Sequence, residues 1–165
     1  MSLMSPLCRC GGTLISERHV LTAAHCTATI GSKPSRLSVL VGEHRIDDND
    51  FVSIAVTDIR DDPDYNDSNY QNDFSILTLA TPVNFTSSAA PACLPAETVQ
   101  MYTGQVATVT GWGTLSPGGN QPAILQVTPD QEMVTGNIVS TLQEVEVTVQ
   151  SNEECASVYG TQIGE

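Results

Sequence analysis

The sequence predicts an all-β fold of short antiparallel strands closing into a barrel or sandwich, and three observations predict it. Val52, Ile54 and Val56 alternate with Ser53, Ala55 and Thr57, and Val145, Val147 and Val149 alternate with Glu146, Thr148 and Gln150. That two-residue period places apolar side chains on one face of a strand and polar ones on the other. Long amphipathic helical patterns are missing, and the apolar runs are short and separated by Gly, Pro, Asn and Asp, the residues that turn a chain between strands.

Size and composition set the outer bounds. The 165 residues allow one or two domains with a real core, at roughly 100 to 200 residues per domain. A 40% hydrophobic and 15% charged composition is that of a folded globular chain. Six basic against 19 acidic residues give a net charge of -13, which leaves no basic surface to neutralise phosphate and excludes nucleic acid as a partner. The same balance disfavours an anionic membrane surface, and no apolar run approaches the length of a membrane span. The run Asp47-Asp48-Asn49-Asp50 and the cluster Asp58, Asp61, Asp62, Asp64 and Asp67 fall between apolar strands and are expected to be solvated loops.

Two residues carry candidate chemistry. His25, followed directly by Cys26, reads on its own either as a satisfied core neighbour or as a base; the small Ala23 and Ala24 before it would let a carboxylate approach the ring. An imidazole acts as a base only when held in one tautomer, usually by a carboxylate on its far nitrogen. Asp73, at the mouth of the apolar run Phe74 to Leu79, reads either as a turn residue opening a strand or as that carboxylate. His19 stands at a turn and is expected to pack or hydrogen-bond there.

The order of the surrounding segments settles between these readings. Leu21-Thr22-Ala23-Ala24-His25-Cys26 resembles the histidine motif of the trypsin/chymotrypsin family of serine endopeptidases, and Asn72-Asp73-Phe74-Ser75-Ile76-Leu77-Thr78-Leu79 resembles its aspartate segment. Cys10-Gly11-Gly12-Thr13-Leu14-Ile15-Ser16 is similar to the family's Cys-Gly-Gly-Ser-Leu-Ile strand, Pro91-Ala92-Cys93-Leu94-Pro95 to its inter-barrel linker, and Thr110-Gly111-Trp112-Gly113-Thr114 to its Gly-Trp-Gly turn. The resemblance covers about Cys10 to Cys155. It implies two antiparallel β-barrels, with residues 10–100 holding the first barrel and the start of the linker, 101–165 part of the second, and 1–9 an extension outside the family pattern. His25 and Asp73 would then be general base and orienting acid of a Ser-His-Asp triad.

The family's nucleophile lies in a Gly-Asp-Ser-Gly-Gly segment, and none of the serines here has a glycine two residues before it. An Ile-Val-Gly-Gly-like start and a signal peptide are missing too, so the chain is expected to be part of a longer, extracellular protein. Within the five cysteines, the resemblance pairs Cys10 with Cys26 across the histidine loop, although Cys8 offers a competing partner; Cys93 and Cys155 resemble family cysteines whose partners lie elsewhere. No Cys-x-x-Cys pair points to zinc, and the sequons at Asn66 and Asn84 are compatible with secretion. Glu43, in Gly42-Glu43-His44, resembles the first carboxylate of the family's calcium loop, but the loop is shorter and its closing glutamate is not evident, so no cofactor is expected beyond a calcium at Glu43, with His44 a surface residue. A second Leu-Gln pair, Leu142-Gln143 after Leu125-Gln126, marks about 127–141 as an insert.

Two functions follow from the resemblance. One is a secreted serine-type endopeptidase acting on protein or peptide substrates and open to protease inhibitors, the chain as given being inactive for want of its serine. The other is a non-catalytic protease homologue serving as a binding or regulatory module. Retention of both His25 and Asp73 favours the first.

Overall fold

The computed structural model describes residues 2–5, 8–28, 30–31, 33–42, 44–45, 51–95, 102–112 and 142–160. Among them the elements are β1 (Ser2–Ser5), β2 (Cys8–Gly11), β3 (Thr13–Leu14), β4 (His19–Thr22), α1 (Ala24–Ala28), β5 (Ser38–Val41), β6 (Val52–Asp61), β7 (Ser75–Leu79), β8 (Val106–Gly111), β9 (Gln143–Thr148) and α2 (Asn152–Tyr159), with a 3-10 turn at Pro34–Arg36. The chain divides into two units. One carries β1 to β7, α1 and α2; the other carries β8, β9 and the short segment at His44.

In the first unit seven antiparallel strands form one sheet in the order β2-β1-β5-β6-β7-β4-β3. Its two edge strands, β2 and β3, are consecutive in the chain with only Gly12 between them, so the sheet curls round until both edges lie in one run of backbone. Closure of this kind removes the unpaired strand edges that would otherwise template aggregation. The interior is filled by side chains from most of the strands, among them Leu14, Val20, Val39, Ile54, Val56, Leu77 and Leu79. Each such side chain contributes roughly 1.5–3 kcal/mol by leaving water.

The alternation read in β6 is realised at Ile54 and Val56, both buried, whereas Val52 opens the strand and is exposed. A bulge between Val56 and Asp58 then resets the register against β7. Beyond it, Ile59 and Val20 flank Leu77, and one repeat further along the same face Asp61 and Thr22 flank Ser75. The inward face of the barrel therefore changes from an apolar rung to a polar one at the end where β4 runs into α1.

Several expectations are corrected here. Asp58 and Asp61, grouped above with solvated loops, belong to β6; Asp58 pairs with Arg60 at 2.9 Å on an exposed stretch, and only Asp62, Asp64 and Asp67 lie in the following loop. Residues 2–5 form β1, which pairs with β2 and β5. The strand expected at Val145 to Gln150 runs from Gln143 to Thr148, because its partner β8 registers Val106 opposite Thr148 and Gly111 opposite Gln143. α2 groups with the first unit rather than with β8 and β9.

In the second unit β8 and β9 pair only with each other among the described residues. The His44 carbonyl accepts from the Leu142 amide at 2.6 Å and from Trp112 Nε1 at 3.3 Å. The insert expected at about 127–141, and Glu43, lie outside the described residues.

Candidate active site

α1 starts where β4 leaves the sheet, and it is short. It ends at Ala28, and beyond it the left-handed Gly31, whose φ of 60° a side chain would resist, donates its amide to the Thr27 carbonyl at 3.1 Å. The first-turn amides of a helix have no intrahelical partner. Here a carboxylate from just before β7, distant in sequence but at the same end of the barrel, supplies one: Asp73 Oδ1 accepts from the His25 amide at 2.8 Å, and the Ala24 amide also bonds to the group. Its second oxygen, Oδ2, lies 2.7 Å from His25 Nδ1. One carboxylate thus fixes both the backbone and the ring of His25.

The loop that delivers Asp73 is held by its own hydrogen bonds. Asn72 donates from its side chain to the Asp64 carbonyl at 3.0 Å, Asp62 accepts the Asp64 amide at 2.8 Å, and Asn66 and Gln71 bridge across the loop. Tyr70 and Asn72 both take left-handed backbone, with φ of 56° and 55°. Asparagine tolerates that region, but for tyrosine it costs of order 1 kcal/mol or more. The strained turn sets the Tyr70 ring edge-on to the imidazole, centroids 5.9 Å apart, and aims Asp73 at α1.

Electrostatics follow from this geometry. Burial pushes the Asp73 carboxyl upward, but the side-chain bond to His25, the backbone bond from His25, the charge of that ring and the Ala24 amide together outweigh it and hold the group below its ordinary 3.8. At neutral pH Asp73 is therefore an anion and can only accept, so the Nδ1 nitrogen carries the proton and the lone pair falls on Nε2. The His25 side chain is 48% exposed, enough for a reacting group to approach. An imidazole held in this way can take up a proton at Nε2 and have the resulting charge balanced by the carboxylate behind it.

The expected pairing of Cys10 with Cys26 is present as a disulfide tying β2 to α1, with Cα atoms 6.3 Å apart. Sulfurs from both cysteines and a nitrogen of His25 cluster within 4.8 Å, but sulfurs joined to each other are not the thiolates a metal binds. Cys93, exposed, and Cys155, half-buried, are free thiols. His19 stays at its turn, where its ring meets Ser16 Oγ at 2.8 Å.

Sequence reasoning missed one part of the site. Thr27, fully buried in α1, has its hydroxyl 2.8 Å from the Ala24 carbonyl and 2.6 Å from Asp61 Oδ1. Its single proton serves one acceptor at a time: the bond to Asp61 ties the histidine helix to β6, while the bond to the Ala24 carbonyl stays within the helix. Thr22, the last residue of β4 before the helix, donates to the Gly11 carbonyl of β2 at 2.9 Å. Nothing in the residue types at 27 and 61 marks them as partners; only the register of β6 brings them together.

A closed antiparallel barrel with an imidazole–carboxylate pair at the mouth of one strand defines the class of trypsin-like protease domains, and a solved structure titled "Structure of GrC" superposes on the chain with a TM-score of 0.71 at 31% identity, covering 96% of this chain and 60% of that one. The chain belongs to the trypsin family, whose sequence model matches residues 2–136. It is 34% identical over 152 residues to Granzyme B(G,H) of Mus musculus, covering 91% of this chain and 52% of the relative. With Serine proteinase stubble of Drosophila melanogaster it shares 34% over 155 residues, 92% of this chain and 17% of that one. The chain spans about half the length of the granzymes it matches.

Proposed function

We propose that this chain is the part of a serine-type endopeptidase that supplies base and orienting acid: His25 Nε2 removes the proton from a serine hydroxyl as it attacks a peptide carbonyl, and Asp73 holds the tautomer and balances the imidazolium. The observation that carries this reading is the double engagement of Asp73, which bonds the His25 amide at 2.8 Å and Nδ1 at 2.7 Å. A carboxylate whose only task was to open a strand would have no need of the ring. The serine belongs to a Gly-Asp-Ser-Gly-Gly-like turn outside this sequence, with the oxyanion donors beside it, and the His–Asp pair alone lacks the groups that stabilise most of the transition state. Substrates are proteins or peptides, protease inhibitors would occupy the same cleft, and the acyl transfer needs no cofactor. The Cys10–Cys26 disulfide supports an extracellular setting.

The test has two arms. The 165-residue chain is expected to turn over no chromogenic ester above background and to leave every serine unlabelled by a fluorophosphonate; rapid labelling of any serine in it would overturn the assignment of roles. Sequencing the transcript beyond the codon for Glu165 is expected to reveal a Gly-Asp-Ser-Gly-Gly-like turn, and in the longer product fluorophosphonate labelling should need His25. A transcript lacking that turn would leave the non-catalytic binding homologue as the better reading.

A further inference from the structure

Cys10, Cys26 and His25 each bring one metal-binding atom into a cluster whose members lie within 4.8 Å of one another. The bond between the two sulfurs is what keeps the cluster from being a coordination site. A tetrahedral zinc ion, with bonds of about 2.3 Å to sulfur and about 2.0 Å to nitrogen, sets its ligand atoms roughly 3.5–3.8 Å apart. Cys26 Sγ and His25 Nε2 already lie 3.4 Å apart. The bonded sulfurs are the pair that must part, and with Cα atoms 6.3 Å apart rotation of the two short side chains can supply the movement. The ring is presented as a metal-binding histidine requires: Nδ1 donates to Asp73 Oδ2 at 2.7 Å, which fixes the tautomer, leaves the lone pair on Nε2 and raises its basicity. The His25 side chain is 48% exposed, so a fourth position is open to water.

We propose that reduction of the Cys10–Cys26 bridge opens a zinc site made of both thiolates and His25 Nε2, with Asp73 behind the ring. A dithiol supplies the two electrons: one of its sulfurs attacks the bridge, the second closes the reductant's own disulfide, and Cys10 and Cys26 are left as thiols. Zinc then displaces the two thiol protons, and the two thiolates balance its charge. Thiolate and imidazole ligands select zinc over magnesium or calcium, and a net charge of -13 draws a cation toward the chain. The bound ion restores the tie between β2 and α1 that the bridge had made, and it occupies the Nε2 lone pair. Redox state thus selects between a bridged form with a free base and a metal-bound form without one. The site itself requires no serine nucleophile and goes beyond the function proposed above; only its consequence for proton transfer rests on that reading.

Cobalt(II), a spectroscopic stand-in for zinc, is the probe. The oxidised 165-residue chain is treated with N-ethylmaleimide to cap its open thiols, Cys93 and Cys155 among them, then reduced with a phosphine, freed of reductant without air and titrated with cobalt. The reduced chain is expected to bind one equivalent, with a sulfur-to-cobalt charge-transfer band and the visible bands of a four-coordinate ion, and zinc should bleach both by displacement. The oxidised chain should show neither. Asp73→Asn should weaken binding on the order of 10- to 100-fold, which two thiols in an unfolded chain would not show, and His25→Gln, which removes a ligand, should weaken it more. An absent charge-transfer band in the reduced chain, or an unchanged cobalt affinity in either variant, would overturn the proposal. If circular dichroism shows that neither variant folds, nitrogen NMR of the zinc-loaded unmutated chain decides it: His25 Nε2 must take the shift of a metal-bound nitrogen, and a shift unchanged by zinc would overturn the site.

Discussion

Two neighbouring rungs on one face of the barrel sheet differ in their chemistry. Val20, Leu77 and Ile59 face one another across three strands, and Thr22, Ser75 and Asp61 do the same one repeat further on. The first rung is apolar and joins the core. The second is polar, and two of its members are tied to backbone or helix: Thr22 to the Gly11 carbonyl and Asp61 to Thr27 of α1. Stability and site placement are thus divided along one sheet face. The apolar rung holds the barrel closed, whereas the polar rung gives up burial energy to make directional bonds where the histidine helix must be seated.

The largest expected effect tests the apolar rung. Leu77→Ala, at a fully buried position, is expected to cost about 2–5 kcal/mol through lost transfer energy and the cavity left behind, measured by urea denaturation. A loss below about 1 kcal/mol would mean that the rung collapses around the gap and that the division is not real.

Next comes Asp73, at the rim beyond the polar rung. Asp73→Asn should cost about 2 kcal/mol near neutral pH, since it weakens charge-assisted bonds to the His25 ring and amide. The sign with pH is set by the direction of the shift. The folded-state group titrates below its ordinary 3.8, so its contribution is complete above that value and is lost as pH falls through the lower folded-state value. The gap in stability between the two proteins should therefore close in acid; a gap that stayed constant down to strongly acidic pH would show that the charge of Asp73 contributes nothing to the fold.

Smaller effects separate the members of the polar rung. Thr27→Val keeps the shape and removes the donor to Asp61 and the Ala24 carbonyl, an expected loss of about 1 kcal/mol in thermal denaturation; an unchanged melting temperature would make the Thr27–Asp61 bond incidental. Ser75 is the exception in its rung, its Oγ buried without a hydrogen-bond partner. Ser75→Ala should be neutral or stabilising by up to about 1 kcal/mol, because a buried unmatched hydroxyl is costly. A clear loss in chemical denaturation would mean that the hydroxyl is bonded in solution and that the whole rung acts as one network.

How much of this could be read in the sequence depends on the range of the signal. His25, Asp73, Cys10 and Cys26 were legible because each sits inside a contiguous run of family pattern, and Ile54 and Val56 because a two-residue period survives in the strand itself. Asp61 was not, since an aspartate beside Asp62 looks like loop until the bulge after Val56 sets which of its neighbours face inward. Thr27 and Asp61 are 34 residues apart and share no local pattern. β9 shows the limit of periodicity itself: Val145 and Val147 alternate as those of a half-buried strand do, yet Val147 is exposed and no residue of β8 or β9 is fully buried. Alternation records which faces could be covered, while burial depends on whether another layer covers them.

The pairing of β4 with β7 has a consequence for how the chain acquires its site. His25 and Asp73 are 48 residues apart, and the contact between them adjoins the Thr22–Ser75 rung, so it cannot precede that pairing of distant strands. Non-local closure of this kind is the slow part of folding in β-rich domains, since loop entropy is lost before the contacts that offset it are made. During synthesis the histidine helix leaves the ribosome well before its aspartate, and until β7 docks the imidazole has no carboxylate to fix its tautomer. Assembly of the His–Asp pair is in effect a timer that reads the closing of the barrel.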